Sequence, residues 1–150
     1  MHNMKFLKIK DVKSPTRGTP QSAGIDLFIP NDFPHTELKS GESILIPSGI
    51  KVNVPENHVF IAMNKSGIAT KRHLQVGACV IDEDYQGEIH IHLTNVGDST
   101  SSIGGGDKIV QCLLLPISYA GVEVVETEGE LFEGEVTERG DGGFGSTGVK

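Results

Sequence analysis

This chain of 150 residues predicts an all-β fold, a distorted jelly roll or sandwich-like barrel with one short helix and an extended C-terminal tail. Three observations predict it. Val, Ile and Leu recur in short runs with turn residues between them. The chain holds 19 glycines and 7 prolines but no tryptophan, and aromatics make up only 5%. That composition suits many short strands joined by turns. The strands follow one another at short, even spacing, as in sandwiches and jelly rolls.

The elements follow in order. Residues Lys5–Lys10 alternate loosely and form a first strand. Pro15, Gly18 and Pro20 make a loop of 14–22, and Gly24–Ile29 forms a second strand stopped by Pro30-Asn31-Asp32. Glu42–Ile46 and Ile50–Val54 are strands parted by Pro47-Ser48-Gly49, read as a hairpin turn. His58–Met63 is a strand. Ser66–Lys71 is the helical segment, with Ser66 as its N-cap. Leu74–Ile81 and Glu88–Thr94 are strands flanking Asp82-Glu83-Asp84-Tyr85-Gln86-Gly87. Ile109–Pro116 is strongly apolar and central, and Val122–Val125 is the last strand of the body. Glutamates 123, 126, 128, 130, 133, 135 and 138 then form an acidic, solvated linker. The expected organisation is a body over 1–126 and a tail over 127–150.

The totals narrow the function. This length can bury a real core in a single domain. A formal net charge of −7 argues against coating DNA or RNA, but leaves room for a small phosphate ligand where local cations or a metal reverse the field. Cys79 and Cys112 fit no zinc pattern and read as free thiols in a reducing compartment. No apolar run is long enough to span a membrane, and the start lacks a signal-peptide core. The expectation is a soluble, cytoplasmic protein that binds neither nucleic acid nor membrane.

Several segments carry chemistry. The Asp82–Asp84 turn can hold a general base, a Mg²⁺ ligand, or simply close the chain reversal. Tyr85 can pack on a sugar or sit in the core with its hydroxyl outward. Asn64-Lys65-Ser66-Gly67 opens a short helix and offers N–H groups, an ammonium and a hydroxyl to an anion, although no P-loop spacing is present. His90 and His92 share one strand face, read as a polar face or subunit contact in place of a metal pair. Gly104-Gly105-Gly106 is a turn into a buried strand. Gln111 sits among Val110, Leu113 and Leu114 and needs a hydrogen-bond partner. In the tail, Arg139 offers a charged fork for phosphate, the glycines admit close backbone approach, Ser146 and Thr147 add hydroxyls, and Phe144 has nothing adjacent to pack on.

Taken in order, five stretches resemble the motifs of trimeric deoxyuridine triphosphatases (dUTPases). They are Ala23-Gly-Ile-Asp-Leu27, Lys65-Ser-Gly-Ile-Ala69, the run from Val80 through Asp82 and Tyr85 to Ile89, Gly106-Asp-Lys-Ile-Val-Gln111, and the run from Arg139 to Gly148. The resemblance implies a homotrimer of jelly-roll subunits with sites at subunit interfaces, and a C-terminal tail that closes over a site formed by other subunits. It implies hydrolysis of dUTP to dUMP and pyrophosphate with Mg²⁺. Asp82 then matches the base that activates water at the α-phosphorus. Tyr85 matches the ring that packs on deoxyribose, and Ala78, Cys79, Val80 and Ile81 the hairpin that reads uracil. Lys65, Ser66, Gly67 and Gln111 match phosphate contacts. Arg139, Gly145, Ser146 and Thr147 match the tail's phosphate grip, and Phe144 the ring over uracil. Asp26 matches an acidic residue that supports the metal through water.

Some positions depart from the family pattern. Lys65 stands where Arg is common, Cys79 where Gly is common, and Ile25 where an aromatic is often found. Asp141 adds an anion near the tail's phosphate site. The same fold also serves dCTP deaminases and bifunctional deaminase-triphosphatases, and a nucleotide-gated protein-binding role is the third alternative. The Tyr85-Gln86-Gly87 turn and the Arg139 to Thr147 tail favour the triphosphatase.

Overall fold

A computed structural model of the chain describes residues 3–149. The chain divides between Ser118 and Tyr119 into a body and a tail. The body runs β1 (Lys5–Lys8), β2 (Ile25–Phe28), β3 (Thr36–Leu38), β4 (Ser43–Pro47), β5 (Ile50–Asn53) and β6 (His58–Met63). It continues with α1 (Ser66–Lys71), β7 (Leu74–Val76), β8 (Val80–Ile81), β9 (His90–Asn95), β10 (Ser101–Ile103) and β11 (Lys108–Pro116). The strands form a four-stranded sheet in the order β2-β11-β6-β8, a three-stranded sheet β4-β9-β7, and two ribbons, β1-β5 and β10-β3. Every pairing is antiparallel.

Alternation explains the layers. Along β9, Ile91, Leu93 and Asn95 are buried while His90 is exposed and His92 and Thr94 are half-buried. Ile91 and Leu93 join Leu27, Phe60, Val110 and Cys112 of the larger sheet in one hydrophobic cluster. A fully buried Phe60 side chain is stabilised by about 1.5–3 kcal/mol relative to its exposed state. Asn95 is also fully buried, and every polar atom of its amide is used. Its Nδ2 donates to Leu38 O and Ser99 O, both at 2.8 Å, and its Oδ1 accepts from Gly97 N–H at 2.9 Å. That removes the cost of a buried amide and fixes the turn after β9.

The structure corrects four local expectations. Pro47-Ser48-Gly49 is not a hairpin turn. β4 pairs with β9 while β5 pairs with β1, so this corner carries the chain from one sheet to another. Gly49 meets the corner with φ of 74°, and its N–H donates to Glu88 Oε2 at 2.8 Å. Leu74–Ile81 is two strands, because β7 pairs with β9 and β8 with β6. Ser66 is the first helical residue instead of the cap. Lys65 is the N-cap and makes no side-chain cap bond, while Ser66 O accepts from Thr70 Oγ1 at 2.7 Å. Val122–Val125 is not a strand, and Val122 and Val124 are exposed.

The tail contains a second helix, α2 (Glu128–Leu131), which the sequence reading left inside the linker. Thr127 Oγ1 caps it by accepting from Glu130 N–H at 3.1 Å. Thr-x-x-Glu is the spacing of a capping box, so the signal was present.

Candidate functional site

The four-stranded sheet lays out the site. From β2 across β11 and β6 to β8 it places Asp26, Gln111, the Met63–Lys65 exit and Val80–Ile81 side by side. Gln111 pairs with Asp26 on one side and Met63 on the other, and Ile61 pairs with Val80. Four sequence motifs lying between Ala23 and Gln111 thus meet through antiparallel register on neighbouring strands.

At the Asp26 end, the side chain is only 5% exposed. Lys65 Nζ lies 2.6 Å from Oδ1 and Lys108 Nζ 3.7 Å from Oδ2. A buried carboxylate needs such partners to remain in place. Lys65 brings three donors, so the bond to Asp26 leaves N–H groups for an anion. Beside it, Gln111 Nε2 donates to Asn64 O at 2.8 Å. The partner that Gln111 requires is thus supplied by the protein. A Cβ on Gly24 would stand 2.1 Å from Gln111 Oε1, so glycine is needed there for the amide to lie flat against β2. Asn64 Oδ1 accepts from Val76 N–H at 2.8 Å and ties the helix entry to β7. Ser66 and Gly67 are exposed at the start of α1.

At the β8 end, Ala62, Ala78, Cys79, Val80, Ile81, Tyr85, Ile89 and His90 line a cavity of about 130 Å³. Drug-sized ligands occupy roughly 300–1,000 Å³, so this is a space on the scale of one ring. Ala62 N–H donates to Cys79 O at 2.8 Å, and Ala78 N–H to His92 Nδ1 at 3.0 Å. Tyr85 folds back over the turn, with its N–H on Asp82 O at 3.1 Å and its hydroxyl donating to Glu88 O at 2.7 Å. A Cβ on Gly87 would come within 2.5 Å of that hydroxyl, which is why a glycine follows Tyr85-Gln86. Asp82 is exposed beside the cavity. Glu83 Oε2 accepts from Asn57 N–H at 3.1 Å and serves the turn.

Glu88 braces this end from behind. Burial pushes its carboxyl pKa up, but the bond from Lys10, the Gly49 N–H and the charges of Lys10 and His90 outweigh burial and lower it. Lys10 Nζ stands 2.9 Å from Glu88 Oε2. Cys112 lies in β11 with a thiol pKa raised to about 12, by burial first and then by Asp26. It stays protonated and inert at neutral pH.

The tail residues are organised within the tail. Arg139 Nε donates to Gly142 O at 2.8 Å, and Ser146 N–H to Gly143 O at 3.1 Å. Phe144 has φ of 49° followed by Gly145 at 89°, and its side chain is fully exposed.

Sequence reading named the segments that hold Asn64, Lys108, Glu88 and His92 but gave none of the four its contact: Asn64 to Gln111, Lys108 to Asp26, Glu88 to Lys10 and Gly49, and His92 to Ala78. Asn64 and Lys108 stand inside segments already singled out, so adjacency was a signal. Glu88 and His92 act across strands, and only the register reveals them.

No three His, Cys, Asp or Glu side chains among the described residues come together to hold a metal. Asp26 is the one buried carboxylate among those residues. That donor set suits Mg²⁺ carried on polyphosphate oxygens, since this ion takes one or two carboxylates plus phosphates and water. Among the described residues, no helix is long and apolar enough to cross a membrane.

Comparison with known proteins covers nearly the whole chain. The dUTPase family profile matches residues 10–148. Deoxyuridine 5′-triphosphate nucleotidohydrolase of Mus musculus is 36% identical over 147 residues, which is 97% of this chain and 85% of that protein. The Arabidopsis thaliana protein of the same name is 39% identical over 148 residues, 96% of this chain and 84% of its own. The solved structure of the Staphylococcus bacteriophage 80alpha dUTPase with dUPNHPP superposes with a TM-score of 0.84 at 25% identity, covering 99% of this chain and 100% of that one.

Proposed function

We propose, from the premise that this chain belongs to the dUTPase family, that it hydrolyses dUTP to dUMP and pyrophosphate by water attack at the α-phosphorus. The observation that carries this reading is the small cavity lined by Ala78, Cys79, Val80, Ile81 and Tyr85, with the exposed Asp82 beside it. A single ring fits there, and backbone groups of the β7–β8 loop stand where a base edge can be read. The Tyr85 ring packs on deoxyribose and leaves no room for a 2′-hydroxyl.

Asp82 takes the proton of the attacking water. The triphosphate extends along the strand ends toward Lys65, Ser66, Gly67 and Gln111. Lys65 holds a phosphate oxygen with the N–H groups not spent on Asp26. Asp26 is the residue that would support Mg²⁺ through water, and the ion, when carried on the triphosphate, would supply charge neutralisation there. Three subunits assemble, and the tail of one closes over a site built by others. There Arg139, Gly145, Ser146 and Thr147 grip the terminal phosphate, and Phe144 stacks on uracil. Closing the site excludes bulk water.

The test is product analysis with Mg²⁺ and, separately, dUTP, dCTP, dTTP and UTP, using wild type and Asp82→Asn. Wild type releases dUMP and pyrophosphate from dUTP alone. Asp82→Asn still binds dUTP but turns over about 10²- to 10⁴-fold more slowly, the usual loss of a general base. Unchanged turnover removes Asp82 from the mechanism, and dUTP released from dCTP replaces the reading with a deaminase.

A further inference from the structure

We propose that His92 is a positioning residue that sets the shape of the base-reading loop, and that it does so only while its imidazole is neutral. The proposal rests on reading Ala78–Ile81 as the uracil site.

The loop has little chain to work with. Gly77-Ala78-Cys79 must carry the backbone from β7 in one sheet to β8 in the other. Three hydrogen bonds hold it. Gly77 N–H donates to His92 O at 3.0 Å, Ala78 N–H to His92 Nδ1 at 3.0 Å, and Ala62 N–H to Cys79 O at 2.8 Å. Two of the three come from residue 92. The ring also lies directly on Gly77, because a Cβ there would be 2.2 Å from Nδ1. Glycine at 77 and histidine at 92 therefore form one fitted pair, and the loop between them includes two residues of the cavity wall.

A backbone amide can only donate. Nδ1 must then carry a lone pair, which places the ring proton on Nε2. A charged imidazole presents N–H at both nitrogens, so the Ala78 N–H would face another donor and the bond would be lost. Histidine is the side chain that changes charge between about pH 5 and 8. The groups around it leave few other sources of titration. His92 lies opposite Leu45 of β4, with Ser43 and Pro47 flanking, and opposite the Gly77 end of β7 next to Gln75. None of these ionises. On β9 itself His90 shares the face, and beyond it Glu88 is held by Lys10 and the Gly49 N–H. His90 lines the cavity and is the other ionisable side chain on these three strands, and the free thiol of Cys79 stands in the loop itself.

The loss of this bond moves the wall that recognises the base and leaves the proton-transfer step alone. The expected signature is thus a change in KM for dUTP with kcat retained. Two variants separate acceptor from charge. In His92→Asn, Oδ1 falls near the place of Nδ1, accepts from Ala78 N–H and does not titrate. In His92→Leu no acceptor remains.

Steady-state kinetics with dUTP between about pH 8 and pH 5.5 make the first test. Wild-type KM rises about fivefold more over this range than that of His92→Asn, the scale of one lost hydrogen bond. His92→Leu shows a raised KM throughout, by about the same factor, with kcat within about twofold of wild type. Parallel pH profiles for wild type and His92→Asn overturn the proposal, as does an unaltered KM in His92→Leu. If His92→Leu fails to fold, the comparison of wild type with His92→Asn decides alone. The second measurement needs no nucleotide. The Ala78 amide signal of protein labelled with ¹⁵N-alanine shifts with pH in wild type and stays put in His92→Asn. Absence of hydrolysis in wild type would defeat the proposed function, while this amide titration would still judge the contact between His92 and Ala78.

Discussion

The body and the tail both carry candidate site groups, more of them in the body, but hold them in opposite ways. In the body several groups are tied to distant elements. Lys65 and Lys108 hold Asp26, Asn64 holds Gln111, and His92 holds Ala78. In the tail the bonds of the site segment are local, as from Arg139 to Gly142 and from Gly140 N–H to Thr137 Oγ1, each three residues along the chain. Phe60 is wholly buried while Phe144 is wholly exposed. The difference teaches where organisation is paid for. The body meets the entropy of ordering its groups during folding, so a ligand finds them in place. On the proposed reading, the tail would meet that entropy when substrate binds.

The strongest way to break this comparison is to exchange the two phenylalanines' fates. Phe60→Ala leaves a cavity in the central cluster and costs about 3–5 kcal/mol of stability, read as a lower denaturant midpoint. Removal of residues 139–150 leaves that midpoint unchanged and lowers kcat/KM by about 10²- to 10³-fold, the scale of lost transition-state donors. If the truncated protein turns over dUTP at the wild-type rate, the tail has no part in the site. If its midpoint falls as far as that of Phe60→Ala, the tail is a structural element and the contrast collapses. A finer version changes one ring. Phe144→Ala keeps the midpoint and weakens dUTP binding by about 1–3 kcal/mol, as expected for one stacked base. An unaltered KM would separate Phe144 from uracil.

The same contrast governs how much was legible in the sequence. The strand-rich class and the motif residues were readable because each rests on local signals: alternation, turn residues, and runs such as Val80 to Ile89. What failed was pairing. Pro47-Ser48-Gly49 has the residues of a hairpin turn, yet turn chemistry does not say which strand lies beside which. Leu74–Ile81 looks like one strand because Gly77 interrupts the pattern without naming a new partner. His92 was placed on the correct face of its strand, but its role depends on Gly77 standing opposite, a contact set by register between β7 and β9. Val122–Val125 has strand propensity without a partner, and propensity alone does not make a strand. The site residues came together in the reading through family resemblance, whereas their meeting across β2-β11-β6-β8 follows from register that no local pattern encodes.

The smallest effect tests whether body charges are also fixed by tertiary bonds. Glu88 has its pKa lowered from the ordinary 4.5 because Lys10 and the Gly49 N–H outweigh burial. A carboxyl depressed in the folded state binds its proton less readily there than in the unfolded chain. Its stabilisation is therefore complete above about pH 4.5 and fades as pH falls through the lower folded value. Thermal midpoints of wild type and Glu88→Gln should differ at neutral pH by an amount on the order of 1 kcal/mol or less, and the gap should close in acid. A gap that persists below the folded pKa would assign the effect to packing of the side chain at the Gly49 corner. A gap that closes would mean that the Lys10–Glu88 charge pair helps to hold the turn carrying Asp82 and Tyr85, since Glu88 O is the acceptor for the Tyr85 hydroxyl. In that case a surface ion pair supports a residue that lines the small cavity, whereas a glutamate of the acidic arm, changed to Gln as a control, would leave the midpoint where it was.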